Sequence, residues 1–391
     1  MDRLVIVGAS LAGLRAAQAA RAGGHQGELV VIGDEARPPY TRPPLSKELL
    51  SGGQTPEQCA LPHPTLEASW RLGSAARGLD RSGRQVILAD GDKVDYERLI
   101  IATGCRARDW TGPGADLEGV HTLRRLDDSL ALRAALAHSR HLVIVGAGFI
   151  GCEVAATARK QGVPVTLLDI APHPLLALGP ELGARCAQMH RDHGVDVRCG
   201  TSIEAILGQT CVEGVQLDDG TELAADVVLL ALGAQPNTEW LRDSGLELNA
   251  GVVCDPTLTS SVDPDILAAG DVTEWPHRLA GGAIVRVEHW TTAAEQGQLA
   301  GRNALLDPAQ RAPHEAPPYF WSDQYDTKIQ SVGFPALAPH LEILEEEPEE
   351  GRLVATGSRD GHLVAAVTFN AAKRLIAYRR ELAAPAVGAA G

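Results

Sequence analysis

The chain begins with a four-residue apolar run, Leu4-Val5-Ile6-Val7, preceded by charged residues and ended by Gly8. A run this short, apolar at every position, predicts a strand buried on both faces, as in a parallel sheet. A helical spacing follows through Leu11, Leu14, Ala17 and Ala20 to Gly23-Gly24, and then a second apolar run, Leu29-Val30-Val31-Ile32. The unit is β-α-β. It recurs as Leu142-Val143-Ile144-Val145, a helix over residues 148–161 ended by Gly162, and Val165-Thr166-Leu167-Leu168. Further strands are predicted at residues 99–102, 227–232 and 266–269, which run into Thr103-Gly104, Gly233 and Gly270-Asp271. Strands alternating with helices imply an α/β fold with two parallel sheets.

Beyond the Pro-rich break at residues 312–318 the period changes. Short alternating stretches at residues 330–333, 341–344, 353–357 and 363–369 predict a small sheet, closed by a helix over residues 371–382. The Glu-rich cluster at residues 345–350 is expected to be a solvated loop, and the Ala/Gly/Pro tail, residues 383–391, is expected to fray. The domain reading is therefore 1–109 with 240–314, an inserted unit at 110–239, and a small α+β C-terminal domain at 315–391.

The chain has 391 residues, with 35 Lys and Arg against 50 Asp and Glu, a net charge of −15. That excess of acid disfavours nucleic acid and anionic membranes as partners. No apolar run approaches the ~18 residues of a membrane helix. The first residues run straight into a strand, with no signal-peptide pattern, so a cytoplasmic location is expected. The seven Cys sit singly, and no C-x-x-C or C-x-x-x-x-C pair occurs. A zinc ribbon and a redox dithiol are unsupported, and no metal site is expected.

Two glycine-rich turns carry the chemistry. The first, Gly8-Ala9-Ser10-Leu11-Ala12-Gly13, is a G-x-S-x-x-G variant in which Ser10, the smallest substitute, keeps most of the room a pyrophosphate needs. The helix that follows offers its unpaired N–H groups to the phosphates. Asp34 lies 21 residues after Gly13, with Glu35 beside it, where an acid would hold a ribose. The second turn, Gly146-Ala147-Gly148-Phe149-Ile150-Gly151, is complete, and Asp169 follows Gly151 by 18 residues. A carboxylate there accepts from ribose hydroxyls and repels a 2′-phosphate, so NADH is expected to be preferred over NADPH. Both β-α-β units are thus Rossmann-like dinucleotide-binding domains.

Two such sites in one chain, with Thr103-Gly104 and Gly270-Asp271 at strand ends, resemble a flavoprotein of glutathione-reductase-like architecture. That resemblance places FAD in the first site and NAD in the second. Pro39-Tyr40-Thr41-Arg42-Pro43-Pro44-Leu45-Ser46-Lys47 narrows it. The segment is similar to one in the ferredoxin reductases that serve cytochromes P450 and aromatic-ring dioxygenases, the putidaredoxin reductase and rubredoxin reductase group, related to apoptosis-inducing factor. Gly148–Ala155, Ala268–Val272, Val287-Glu288-His289-Trp290 and Pro318–Tyr325 resemble the same group, over nearly the whole chain. In disulfide reductases the first of these regions holds the redox Cys pair.

The resemblance implies roles. Arg42 and Lys47 would contact FAD, with Lys47 near the flavin N5 and paired to Glu153, which also meets the nicotinamide amide. Phe149 would lie over the flavin. Glu288, His289 and Trp290 would form a turn at the flavin pyrimidine edge, and Trp321 would pack beside the ring. Arg124 is either an FAD contact or an exposed surface arginine, and Asp271 would approach the ribityl or phosphate region. His173 stands where many relatives carry Arg.

The implied activity is transfer of electrons from NADH through FAD to an iron–sulfur ferredoxin that serves a P450 or Rieske-type oxygenase. The rivals are an NADH oxidase or diaphorase and a redox-sensing interaction protein. A ferredoxin would need a basic patch on this acidic chain. Lys373, Arg374, Arg379 and Arg380 are expected to make one broad cationic face on the closing helix.

Overall fold

In a computed structural model, which describes residues 1–62 and 66–384, the apolar runs form two five-stranded sheets. The first has Arg3–Val7 at its centre, flanked in parallel by Glu28–Ile32 and Arg98–Ile101, with Ser69–Arg71 and Ile266–Ala268 at the edges. The second has Leu142–Val145 between Val165–Asp169 and Val227–Leu230, with Asp196–Cys199 and Val120–His121 outermost. Leu4–Val7 and Leu142–Val145 are buried at every position, as strands covered on both faces must be. The run expected to reach residue 232 stops at Leu230.

The helices in chain order are α1 (Leu11–Ala22), α2 (Glu48–Ser51), α3 (Leu126–Leu136), α4 (Phe149–Lys160), α5 (Gly179–Asp192), α6 (Trp290–Asn303) and α7 (Ala372–Ala383). Helices α1 and α6 pack backbone to backbone. A Cβ at Gly297 would stand 2.3 Å from the Ala12 carbonyl oxygen, and one at Gly301 2.3 Å from that of Ala16. Two glycines four apart therefore permit the approach, and the N-termini of both helices reach the same cleft.

The C-terminal sheet runs Tyr319–Gln324, Thr327–Gly333, His362–Phe369, Arg352–Arg359, Glu342–Glu347, all antiparallel, with α7 against it. The acidic cluster is thus no loop. Glu345, Glu346 and Glu347 lie on an edge strand, and only Pro348–Glu350 turns. Charged residues suit an edge, because they discourage further strands from pairing there. The predicted fraying tail lies outside the described residues from residue 385 onward.

One apolar cluster joins Leu45 and Leu49 to α4, the second sheet and Val367 and Phe369 of the third. Leu45 and Leu49 are 3% and 0% exposed. Each such burial stabilises by about 1.5–3 kcal/mol, which anchors the segment that carries Lys47 between them.

Candidate functional site

Two clefts open at the C-terminal end of the first sheet, where ligands of open α/β sheets bind. They share Ser10, Tyr40, Arg42, Ala102 and Thr103, so they form one elongated groove. One end holds Gly8, Asp34 and Glu35. The other holds Lys47, Phe149, Glu153, His289, Trp290 and Trp321. Ala12, Gly104, Arg124, Ile150, Gly270, Asp271 and Glu288 complete its walls. Gly13 instead serves packing, since a Cβ there would strike the Gly8 carbonyl oxygen at 1.7 Å.

The groove suits a phosphate-bearing ligand. Ser10 is the N-cap of α1, yet its side chain makes no cap hydrogen bond, and neither does that of His289 at α6. Two helix starts thus face the groove with their first N–H groups uncapped, where an anion is stabilised. At the acidic end Glu35 accepts from Arg42 Nη2 at 2.8 Å and from the Tyr40 hydroxyl at 2.6 Å. Burial pushes the Tyr40 hydroxyl well up, so it stays a donor. Asp34 is about half exposed and pairs with Arg125.

Charge is balanced locally along the walls. Arg124 bridges Asp271 Oδ2 at 2.5 Å and the Cys105 carbonyl at 3.0 Å. At 22% side-chain exposure it is no free surface arginine. Arg286 holds Glu288 at 2.7 Å, a partner that sequence reading missed. Thr103 Oγ1 donates to the Asn237 carbonyl at 2.9 Å, and Asn237 Nδ2 returns a bond to the Thr103 carbonyl. Cys105 lines the cleft, but burial pushes its thiol up to about 12, which keeps it protonated and unreactive.

At the far end Lys47 Nζ lies 2.6 Å from Glu153 Oε2. Glu153 also accepts from the Ser46 hydroxyl at 2.5 Å through Oε2, and from the Ser322 hydroxyl at 2.7 Å through Oε1. Neither serine was singled out in sequence. The available signal was strand alternation, which turns Ser322 and Gln324 inward on the same face. Aromatic rings surround the pair. Phe149 meets Phe320 edge-on at 4.5 Å, His289 tilts on Phe320 at 4.9 Å, and Trp321 stands between Tyr319 and Trp290 at 6.2 Å from each. The indole of Trp290 donates to Thr41 Oγ1 at 3.1 Å. The His289 ring is neutral, its pKa lowered to about 4 by burial, and its Nδ1 is buried without a protein partner.

The second glycine turn lies apart, at the end of strand Leu142–Val145, and reaches the groove through Phe149, Ile150 and Glu153 of α4. Gly146 has φ +109, and a Cβ there would stand 2.2 Å from the Ala231 carbonyl oxygen. Gly151 packs closely on the same turn, since a Cβ there would strike the Gly146 carbonyl oxygen at 1.9 Å. Gly148 differs: a Cβ would meet nothing within 4 Å. No protein atom requires that glycine, so the open space serves a ligand that approaches the backbone closely. Gly233 borders similar open space. Asp169 accepts from the N–H groups of Ala147 at 2.6 Å and Ala171 at 2.7 Å, which fixes its carboxylate at the turn. The His173 ring packs on Gly183 and bonds to the Pro174 carbonyl.

The cationic face of α7 is narrower than expected. Arg374 pairs with Glu345, while Arg379 pairs with Glu295 at 3.2 Å and covers the Tyr319 ring. Lys373 and Arg380 are exposed without an ion-pair partner among the described residues.

Residues 319–389 match the family described as reductase C-terminal, and residues 2–297 match pyridine nucleotide-disulphide oxidoreductase. The chain is 37% identical over 383 residues to the ferredoxin–NAD(+) reductase component of the biphenyl dioxygenase system of Paraburkholderia xenovorans, covering 95% of this chain and 91% of that one. It is 38% identical to putidaredoxin reductase of Pseudomonas putida, covering 85% and 80%. A ferredoxin reductase structure from Rhodopseudomonas palustris shares 33% identity at a TM-score of 0.91, covering 97% and 94%. The covalent putidaredoxin reductase–putidaredoxin complex also gives 0.91, at 32% identity, covering 98% and 93%. A match of this length, on a fold with both dinucleotide turns in place, means that the chain belongs to the pyridine nucleotide-disulphide oxidoreductase family.

Proposed function

We infer that this protein is an FAD-dependent NADH:ferredoxin reductase, whose acceptor is a small iron–sulfur ferredoxin serving a P450 or Rieske-type oxygenase. The observation that carries the reading is the Lys47–Glu153 ion pair in the groove, in a family whose name implies a dithiol there. All seven cysteines are free, so a disulfide cannot take the electrons onward. They must leave to another carrier, and the relatives named above are reductases of ferredoxins or of putidaredoxin.

When bound, FAD supplies the conversion of an electron pair, received as hydride, into single electrons. The chain's own residues do the rest. In this reading Gly8, Ser10 and the start of α1 hold the pyrophosphate, and Glu35 with Asp34 holds the adenosine ribose. Arg42 and the Arg124–Asp271 pair would line the middle of the flavin site, while the start of α6 at Glu288, His289 and Trp290 would meet the ring edge. Trp321 would flank the ring. Lys47 adds a fixed positive charge that favours electron density on the ring beside it. Gly148 and Gly233 leave room for NADH, while Gly146 and Gly151 shape the turn. Asp169 would take its ribose, Phe149 and Ile150 would border the nicotinamide, and Glu153 would orient the amide.

Among the described residues no helix is long and apolar enough to cross a membrane. The proposal includes a cytoplasmic setting, whose reducing conditions would suit seven unpaired cysteines. The test is NADH-driven cytochrome c reduction with and without a [2Fe–2S] ferredoxin. Strong dependence on ferredoxin is expected. Equal rates would instead identify a diaphorase.

A further inference from the structure

Three residues outside the groove, Ser322, Gln324 and His190, are polar yet fully buried. They form a chain. Ser322 Oγ lies 2.7 Å from Glu153 Oε1, Gln324 Nε2 lies 3.1 Å from Ser322 Oγ, and Gln324 Oε1 lies 3.0 Å from His190 Nε2. His190 Nδ1 lies 3.1 Å from the Tyr325 hydroxyl.

The donor at each link is forced. A carboxylate paired to Lys47 only accepts, so Ser322 donates to it. The serine oxygen then accepts from the Gln324 amide N–H. The amide oxygen only accepts, so His190 carries its proton on Nε2, and its bare Nδ1 accepts from Tyr325. Burial lowers the His190 pKa to about 4, which keeps the ring neutral. Every donor therefore aims toward Glu153, and each bond polarises the next. An amide does not readily hand on a proton, so the chain orients rather than conducts.

A second observation supports a maintained device. Tyr325 and Asp326 form the two-residue tip between strands Tyr319–Gln324 and Thr327–Gly333. Tyr325 has φ +54, a left-handed conformation that is strained for a non-glycine residue. Its ring stacks on His193 at 3.6 Å and 10°. The strain is held where the hydroxyl reaches His190.

We propose that Ser322, Gln324, His190 and Tyr325 form a polarised hydrogen-bond relay that positions the Glu153 carboxylate for hydride entry from NADH. The proposal rests on the function proposed above. Its members are positioning residues, since only Glu153 faces the groove.

The test uses the full-length, FAD-loaded protein without ferredoxin. Ser322→Ala, Gln324→Leu and His190→Leu should each slow stopped-flow flavin reduction at saturating NADH by about tenfold, with NADH affinity within about twofold. Ser322→Thr and His190→Gln, which keep a donor in place, should recover most of the rate. Independently of turnover, 15N-histidine NMR should show His190 as the Nε2–H tautomer, with a resonance that moves in Ser322→Ala. Unchanged rates in folded, flavin-loaded Gln324→Leu and His190→Leu would overturn the relay. So would an Nδ1–H tautomer, or conservative variants as slow as the truncations. If NADH fails to reduce the wild type, the proposed function falls, while the tautomer and its response to Ser322→Ala still decide the relay.

Discussion

Lys47 and Glu153 meet at 2.6 Å across 106 positions of sequence, one held by the buried Leu45 and Leu49, the other by the first turns of α4. The pair is nearly sealed, with side-chain exposures of 12% and 7%. Removing one partner strands the other charge in a dry site, at a cost of about 3–5 kcal/mol. Lys47→Met and Glu153→Ala should both lower Tm and slow flavin reduction, and Glu153→Gln, which still accepts from Ser322, should lose less stability. Stopped-flow and thermal melts on flavin-loaded protein check this. Wild-type reduction rates in both truncations would remove the pair from the mechanism.

In the function proposed above, Asp169 sets the nucleotide preference. A phosphate dianion placed beside its carboxylate costs about 1.4 kcal/mol or more, a factor of ten in kcat/KM against NADPH. Asp169→Asn should narrow that ratio. It should also cost about 1 kcal/mol, because one of the two N–H bonds from Ala147 and Ala171 loses its acceptor. Parallel kinetics with both nucleotides decide it, and an unchanged ratio would place the ribose elsewhere.

Arg124 and Asp271 hold each other in the groove wall. Asp271→Ala leaves the guanidinium half-buried without its anion, and the purified variant should lose its yellow colour on gel filtration while the wild type keeps about one FAD per chain. Full retention of flavin by the variant would show that this pair does not support the cofactor.

Acid should destabilise the fold through its buried histidines, His190 and His314 among them. The pKa values of His190 and His314 are lowered to about 4 by burial, against ~6.5 in an unfolded chain. Between those values the unfolded state binds protons that the folded state refuses. The stabilisation is full above about pH 6.5 and is lost as pH falls toward 4, on the order of 1–3 kcal/mol for each ring. Melting curves from pH 8 to 5 should show the decline, and a His190→Gln, His314→Leu double variant should flatten it. An equally steep decline in that variant would assign the effect to other groups.

If ferredoxin docks on α7, as proposed from its charge, the free cations are expected to matter more than the paired ones. Lys373→Glu with Arg380→Glu should raise the KM for ferredoxin about tenfold at low salt and leave ferricyanide reduction unchanged. Arg374→Gln and Arg379→Gln should change that KM by no more than about twofold, since Glu345 and Glu295 already neutralise them. If the first pair has no effect, the docking face lies away from α7.

The parallel strands were legible because a strand covered on both faces must be apolar throughout, and both glycine turns because a ligand demands room at fixed spacing. Only the start of the edge strand Glu342–Glu347 was legible; its glutamates from Glu345 on were hidden, since solvent-facing positions follow solubility rather than strand propensity. Helical periodicity placed four cations on α7, but the partners that neutralise two of them, Arg374 and Arg379, are Glu345 and Glu295, far off in sequence. Of the relay behind Glu153, strand alternation could turn Ser322 and Gln324 inward, but the link to His190 was invisible. His190 and Gln324 are 134 positions apart, and no local pattern specifies a hydrogen bond across that distance.

Cys105–Ala107 and Ala234–Pro236, which leave and rejoin the first sheet, lie side by side as an antiparallel pair. This arrangement dictates an order of events on the ribosome. The inserted sheet has all five strands once Val227–Leu230 has emerged, whereas the host sheet still lacks Ile266–Ala268. Until that strand arrives, Arg98–Ile101 has an unpaired apolar edge, the kind of surface that invites misassociation in a nascent chain.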